Sequence, residues 1–305
     1  MFNKIKKKYF NTIIENGYNT NYVIIAICAL FLIDTSYCKA LLEKYPLCID
    51  FVYVQEFIKH RIIHYLNKGY CINRELLNEF RNYLNSCGWG ECEVEYLMQN
   101  RNISEFMTFM ITKIDPHLIT NYIKLDICKN NSKKKLNLTQ LFDDWLNDND
   151  LFETDNLDFI IFEIKADDQY ESIDVMETIK MKYTNNNFER NFEWKIHALI
   201  CYDKIKEKYY TLINSQNIHA INLINITNNS DDSDNSYGSI DLNDDSNNEI
   251  NINKMNDKSN CNLNCNFIII NDDEIPSIKE ININDINIST KISTEITHIF
   301  YRTIY

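Results

Sequence analysis

Thiols and imidazoles are the groups in this sequence best able to do chemistry, and its 305 residues hold ten cysteines and six histidines. A thiol becomes a nucleophile only where something stabilises its anion, such as a helix N-terminus or a neighbouring imidazole. The cysteines (28, 38, 48, 71, 87, 92, 128, 201, 261 and 265) are scattered, and several sit inside apolar segments, as reduced core thiols in a cytosolic protein do. Cys28 falls in the apolar run Tyr22 to Ile33 and reads as one of them. The gaps in Cys87/Cys92 and Cys261/Cys265 are wider than the two-residue spacing of a zinc knuckle. His60 and His64 would share one face of a helix, yet no third ligand accompanies them, and His197 lies among apolar neighbours, where a satisfied core histidine is expected. Neither a metal nor a cofactor is expected.

The elements that must position any such group change character partway along the chain. Tyr22 to Ile33, Cys38 to Tyr45, Val54 to Asn67, Asn73 to Ser86 and Ile103 to Ile114 carry apolar residues at three- and four-residue intervals and are expected to be helices. After one more helical stretch at Leu141 to Asn147, the pattern turns to strands at Leu157 to Ile164, Met176 to Met181, Phe192 to Cys201 and Tyr209 to Ile213. Asn217 to Asn260 is rich in Asn, Asp and Ser and has little to bury, so it is expected to be a disordered insertion. Strand texture resumes at Phe267 to Ile270 and Ile296 to Tyr305, so the fold closes after the insertion. Helices first and strands second predict an α+β fold.

Composition narrows the partners. With 45% hydrophobic residues the chain can bury a sizeable core. Of its formal charge of -13, the insertion alone supplies -6, eight acidic residues against Lys254 and Lys258. The remainder is mildly acidic, which argues against nucleic acid as a partner. The basic run Lys4 to Lys8 reads as a solvated leader. Tyr22 to Ile33 is too short to cross a bilayer, and Asn11 to Asn21 separates it from the basic run, so a buried helix is expected there rather than a secretory signal, and no membrane partner. Asparagine abundance makes the sequons at Asn102 and Asn137 expected by chance, and it would suit an AT-rich genome such as that of a large DNA virus or a protist.

Seven segments, in order, resemble the boxes of ubiquitin-specific proteases. Asn16-Gly17-Tyr18-Asn19-Thr20-Asn21-Tyr22, followed by an apolar helix, is similar to the Asn-x-Gly-Asn-Thr-Cys-Tyr box. Ser104-Glu105-Phe106 resembles the Gln-Asp-Ala-x-Glu-Phe helix, Leu136 to Leu146 the amphipathic stretch before the fingers, and Leu157 to Lys165 the Leu-Lys-Arg-Phe strand. Trp194 to Cys201 with Lys208-Tyr209-Tyr210-Thr211 resembles the histidine box, and Phe267 to Ile275 resembles the Asn-Asp box. His298 to Arg302 is similar to the terminal Leu-Phe-Tyr-Arg strand, after the insertion.

The resemblance implies a papain-like ubiquitin-specific-protease fold, with a helical N-terminal half and an antiparallel-sheet C-terminal half. It implies a single domain over 1–305, helical over about 10–125 and sheet-rich over about 133–305, interrupted by the insertion at 217–260. It also implies a degenerate site. Asn21 stands where the nucleophilic cysteine belongs and Tyr209 where the histidine belongs, while Asn16 matches the oxyanion-hole amide and Asp272 the residue that orients the histidine. A carboxamide forms no acyl-enzyme, and a phenol with a pKa near 10 is a poor base at neutral pH. Taken alone, Asn21 also reads as an ordinary helix N-cap. Lys208 replaces the glycine that lines the ubiquitin-tail channel, and the finger region looks short between Cys128 and Leu157. The expected function is that of a cytoplasmic pseudo-deubiquitinase, in the host cytoplasm if the source is a virus, that binds ubiquitin or another protein. The alternatives are a deubiquitinating thiol hydrolase using a different cysteine, and an unrelated interaction protein.

Overall fold

The computed structural model describes residues 13–15, 19–32, 37, 41–90, 102–126, 136–148, 158–165, 172–185, 188–214, 266–272, 278–282 and 292–303. Asn16 and the expected insertion at 217–260 lie outside them.

Helix α1 (Asn21–Phe31) is apolar on every side and every one of its residues is buried, as expected of a helix at the centre of a core. Its last carbonyls have no partner within the helix, and one of them is satisfied from the sheet, where His197 Nε2–H donates to Ala29 O at 2.8 Å. Helix α2 (Phe51–Phe57) runs through a π-helical turn (Ile58–Ile63) into α3 (His64–Lys68), which ends at Gly69 with φ 70°, a left-handed cap that suits glycine. Helix α4 (Arg74–Ser86) is capped by Asn73, whose side chain accepts from Leu76 N–H at 2.9 Å. Helix α5 (Ile103–Ile114) is capped by Asn102 and carries Glu105 in its first turn and Lys113 in its last, the arrangement its dipole favours.

Strands β1 (Tyr122–Asp126), β3 (Phe159–Lys165), β5 (Thr178–Asn185), β6 (Phe188–Asp203), β7 (Lys208–Asn214), β8 (Asn266–Ile270), β9 (Ile278–Asn282) and β10 (Ile296–Thr303) form one sheet. Its order is β1-β3-β10-β6-β7-β8-β9, with β5 paired to β6. Helix α6 (Leu138–Asp148), a 3-10 helix (Pro116–Asn121) and the short pair β2 (Leu136–Asn137) and β4 (Ile173–Asp174) complete the described elements. Alternation along β3 places Phe159 and Ile161 against the helices α1 to α5, and Ile160, Phe162 and Ile164 against the opposite layer with Leu138 and Phe142 of α6. The sheet is thus buried on both faces.

The α+β expectation holds, with three local differences. The sheet is mixed, because β1 pairs with β3 in parallel, and α6 lies on the long connection that such a pair needs. Strands β1 and β9 were absent from the periodicity reading, being five residues each and interrupted by Lys, Asp or Asn. Of the helix expected over Cys38 to Tyr45, residues 38–40 lie outside the described residues, Leu41 and Leu42 are π-helical, and the chain then runs non-helically to Asp50 with Pro46 buried. Proline cannot continue such a helix.

One buried polar network ties α5 to the sheet. His298 of β10 is 1% exposed. Thr297 Oγ1 donates to Ile200 O, so it accepts from His298 Nδ1–H at 3.0 Å, which leaves Nε2 as an acceptor facing the hydroxyls of Ser104 at 3.2 Å and Tyr122 at 3.0 Å. Burial pushes the His298 pKa from 6.5 down to about 4, the nearby Glu163 opposing the shift and Lys124 adding to it. An unfolded histidine takes its proton near 6.5 and the folded one only near 4, so between these values the unfolded chain holds more protons. Stability is therefore expected to fall as pH drops from about 6.5 to about 4, by up to ~3 kcal/mol from this residue. Urea unfolding of the native protein and of His298→Gln over that range checks it, the variant showing the shallower dependence.

Candidate functional site

Asn21, Tyr209 and Asp272 come together where the N-terminus of α1 meets the sheet. Asn21 is the first residue of α1, Tyr209 the second of β7, and Asp272 lies two residues beyond the end of β8. The β7/β8 register pairs Thr211 with Ile270, so its continuation would set Tyr209 opposite Asp272. The ladder stops short of that pair, and the Asn21 carboxamide fills the gap. Tyr209 N–H donates to Asn21 Oδ1 at 2.7 Å, and Asn21 Nδ2 donates to Tyr209 O and to Asp272 Oδ1, each at 2.9 Å. Both amide hydrogens and the amide oxygen are thereby used. The group is 5% exposed and its carboxylate partner 8%.

The N-cap reading of Asn21 is corrected by this geometry. The cap position belongs to Thr20, which makes no side-chain cap bond, and the Asn21 side chain reaches instead to residues 188 and 251 positions away. Before it, Asn19 has φ 51°, a left-handed conformation that asparagine tolerates, and Arg81 Nη2 donates to its carbonyl at 3.0 Å. Arg81 is buried beside Tyr22, whose ring packs edge-on to Phe106 and whose hydroxyl accepts a hydrogen bond from Trp89 Nε1–H. A helix pair and an aromatic cluster therefore hold the loop from which Asn21 projects. Asn16 lies outside the described residues.

Among the described residues the arrangement brings no thiol or imidazole to the N-terminus of α1. A carboxamide nitrogen is not a nucleophile at neutral pH, and this one already donates twice. Tyr209 joins through its backbone. Its phenol is held above its ordinary pKa chiefly by burial, with the Ile103 backbone N–H opposing, so it stays protonated near neutrality. Cys28 is two helical turns further along α1, fully buried, and burial followed by the charge of Asp272 pushes its thiol well above the usual range. His197 is committed to the Ala29 carbonyl. His60 is exposed and pairs with Glu56, and no cluster of metal-ligating side chains occurs among the described residues. No helix among them is long and apolar enough to cross a membrane. Lys208 is the half-buried first residue of β7, beside Tyr209.

A cleft of about 590 Å³ opens between α5 and the β1/β3 edge, lined by residues that include Ser104, Glu105, Thr108, Lys124, Glu163 and Lys165. Sequence reasoning placed Ser104 and His298 only within their boxes and missed their contact. The one available signal was a histidine inside an otherwise apolar strand.

No protein-family model and no curated protein matches the sequence. Solved structures do match in fold. A chain of the SAGA DUB module Ubp8/Sgf11/Sus1/Sgf73 bound to monoubiquitin aligns with a TM-score of 0.52 at 10% identity, over 99% of this chain and 70% of that one. The same module bound to ubiquitin aldehyde gives 0.52 at 10% identity, over 99% and 71%, and a yeast SAGA module carrying a Sgf73 mutant gives 0.51 at 10%, over 99% and 70%. The chain has the fold of ubiquitin-specific proteases.

Removing the carboxamide should loosen the α1–sheet junction. Asn21→Ala is expected to cost about 2–4 kcal/mol, since it strips partners from a buried carboxylate and a strand peptide. Asn21→Asp sets two carboxylates against each other, so it should be the more destabilising at pH 7 and recover toward pH 5 as the pair takes up a proton. Urea unfolding of both variants at the two pH values checks this, and a neutral Asn21→Ala would show the bonds to be dispensable.

Proposed function

We propose that this chain is a non-catalytic ubiquitin-specific-protease-like protein that acts by binding ubiquitin or a protein partner. The observation that carries the reading is the state of Asn21. At the helix N-terminus where this fold would place a thiolate, the side chain is a buried carboxamide with every hydrogen-bonding atom engaged. Asp272, matched to the residue that would orient a histidine, instead accepts from that amide. The described cysteines offer no replacement near it, because Cys28 is sealed in the core.

On this reading the chain is one domain over 1–305 whose insertion at 217–260 lies between β7 and β8, and its location is cytoplasmic. Asn16 is the remnant of the oxyanion-hole amide. Lys208, carrying a long cationic side chain in place of a glycine, narrows the path that a ubiquitin tail would take, so recognition rests on the globular surface of the partner rather than on its tail. Ubiquitin is the first candidate, since fold neighbours have been solved bound to monoubiquitin and to ubiquitin aldehyde.

Ubiquitin carrying a C-terminal electrophile is expected to leave the purified protein unlabelled, as read by mass spectrometry of the intact chain. A covalent adduct that disappears with a single Cys→Ser change would overturn the proposal in favour of a thiol hydrolase. Titration with monoubiquitin then separates a ubiquitin binder from a binder of another protein.

A further inference from the structure

Among the described residues, four of the nine large hydrophobic side chains that stand exposed fall between residues 45 and 53: Tyr45 at 72%, Leu47 at 72%, Ile49 at 65% and Tyr53 at 65%. The strap that carries them is fixed in place. Its inward positions include buried Pro46 and Phe51, and its backbone is tied to the C-terminal end of α5, Leu47 N–H donating to Ile114 O at 3.1 Å and Cys48 N–H to Lys113 O at 3.4 Å. Gln55 Nε2 donates to Leu41 O and Lys44 O, and Lys44 pairs with Asp115. The apolar side chains are therefore held outward by a preorganised backbone, which lowers the ordering cost of an association.

Charge selects the occupant. The only basic residue from 43 to 56 is Lys44, and Asp115 occupies it. Glu56 is held by Lys59 and His60. Glu43 and Asp50 remain, both exposed, Glu43 just before the apolar row and Asp50 within it, between Ile49 and Tyr53. A second copy would bring like carboxylates together, and an anionic bilayer would meet Glu43 and Asp50, since Lys44 pairs with Asp115 and the neighbouring Lys113 lies over the Phe109 ring. We propose that residues 43–53 form a docking surface for a protein whose apolar contact is bordered by lysine or arginine. The surface lies at the end of α5 opposite Ser104, about 15 Å away along the helix, so it stands independently of the site at Asn21.

The test uses the full chain and two fluorescent amphipathic helical peptides of equal length, one built from Leu and Lys and one from Leu and Glu, read by anisotropy. The Leu–Lys peptide is expected to bind and the Leu–Glu peptide not. Leu47→Asp with Ile49→Asp should weaken binding at least tenfold, and Glu43→Lys with Asp50→Lys severalfold, with the circular dichroism of both variants unchanged because the positions are exposed. Absence of Leu–Lys binding, equal binding of both peptides, or binding indifferent to either double variant overturns the proposal. So does self-association, or binding to phosphatidylserine vesicles, that is lost in the Leu47→Asp, Ile49→Asp variant, since the surface would then belong to a second copy or to a membrane.

Discussion

Helix α1 has no face toward water, and most of the architecture follows from that. A helix sealed on all sides must have the polar groups at both its ends met by protein, since an orphaned peptide group in a core costs several kcal/mol. At the C-terminal end, an imidazole of β6 supplies the donor to Ala29 O. At the N-terminal end, the loop is bent through a left-handed Asn19 under Arg81, and Asn21 reaches out of the helix into the sheet. The two ends are therefore fixed to neighbouring strands, β6 and β7, which locks the helix's depth and rotation relative to the sheet.

The Asn21 bonds are a strand-like contact made by a side chain. A carboxamide has the donor and acceptor pattern of a peptide group, so it can pair with Tyr209 as a neighbouring strand would and still spare one N–H for Asp272. A thiol at the same position offers one weak donor and one weak acceptor. Chemistry and support thus make opposite demands on this position, and in this chain the support is what the geometry displays.

Much of the architecture was legible because local signals agreed. Asn73 and Asn102 cap helices whose apolar spacing is regular, and the helices begin where the caps imply. The long strands β6 and β10 announced themselves through continuous apolar and aromatic runs. The short strands β1 and β9 did not, because five residues with polar interruptions carry too little period to read, and it is their partners that make them strands. Tyr45, Leu47 and Ile49 are apolar yet face outward; composition records that a side chain is apolar, not which way the chain turns it. The convergence of Asn21 with Tyr209 and Asp272 was implied by the ordered boxes. Its bonding was not, since a partner 188 residues away leaves no trace in local spacing. The contact of His298 with Ser104 was hidden for the same reason.

Strand β10 sits between β3 and β6, in the middle of the sheet, although it is the last of the described strands along the chain. During synthesis, every earlier strand leaves the ribosome while that slot is empty. Two open edges, β3 and β6, then face each other with apolar residues on both sides and no backbone partner, the condition that invites mispairing or chaperone capture. The sheet is continuous only with residues 296–303 in place between β3 and β6, a pairing that is non-local in sequence and of the kind that slows folding.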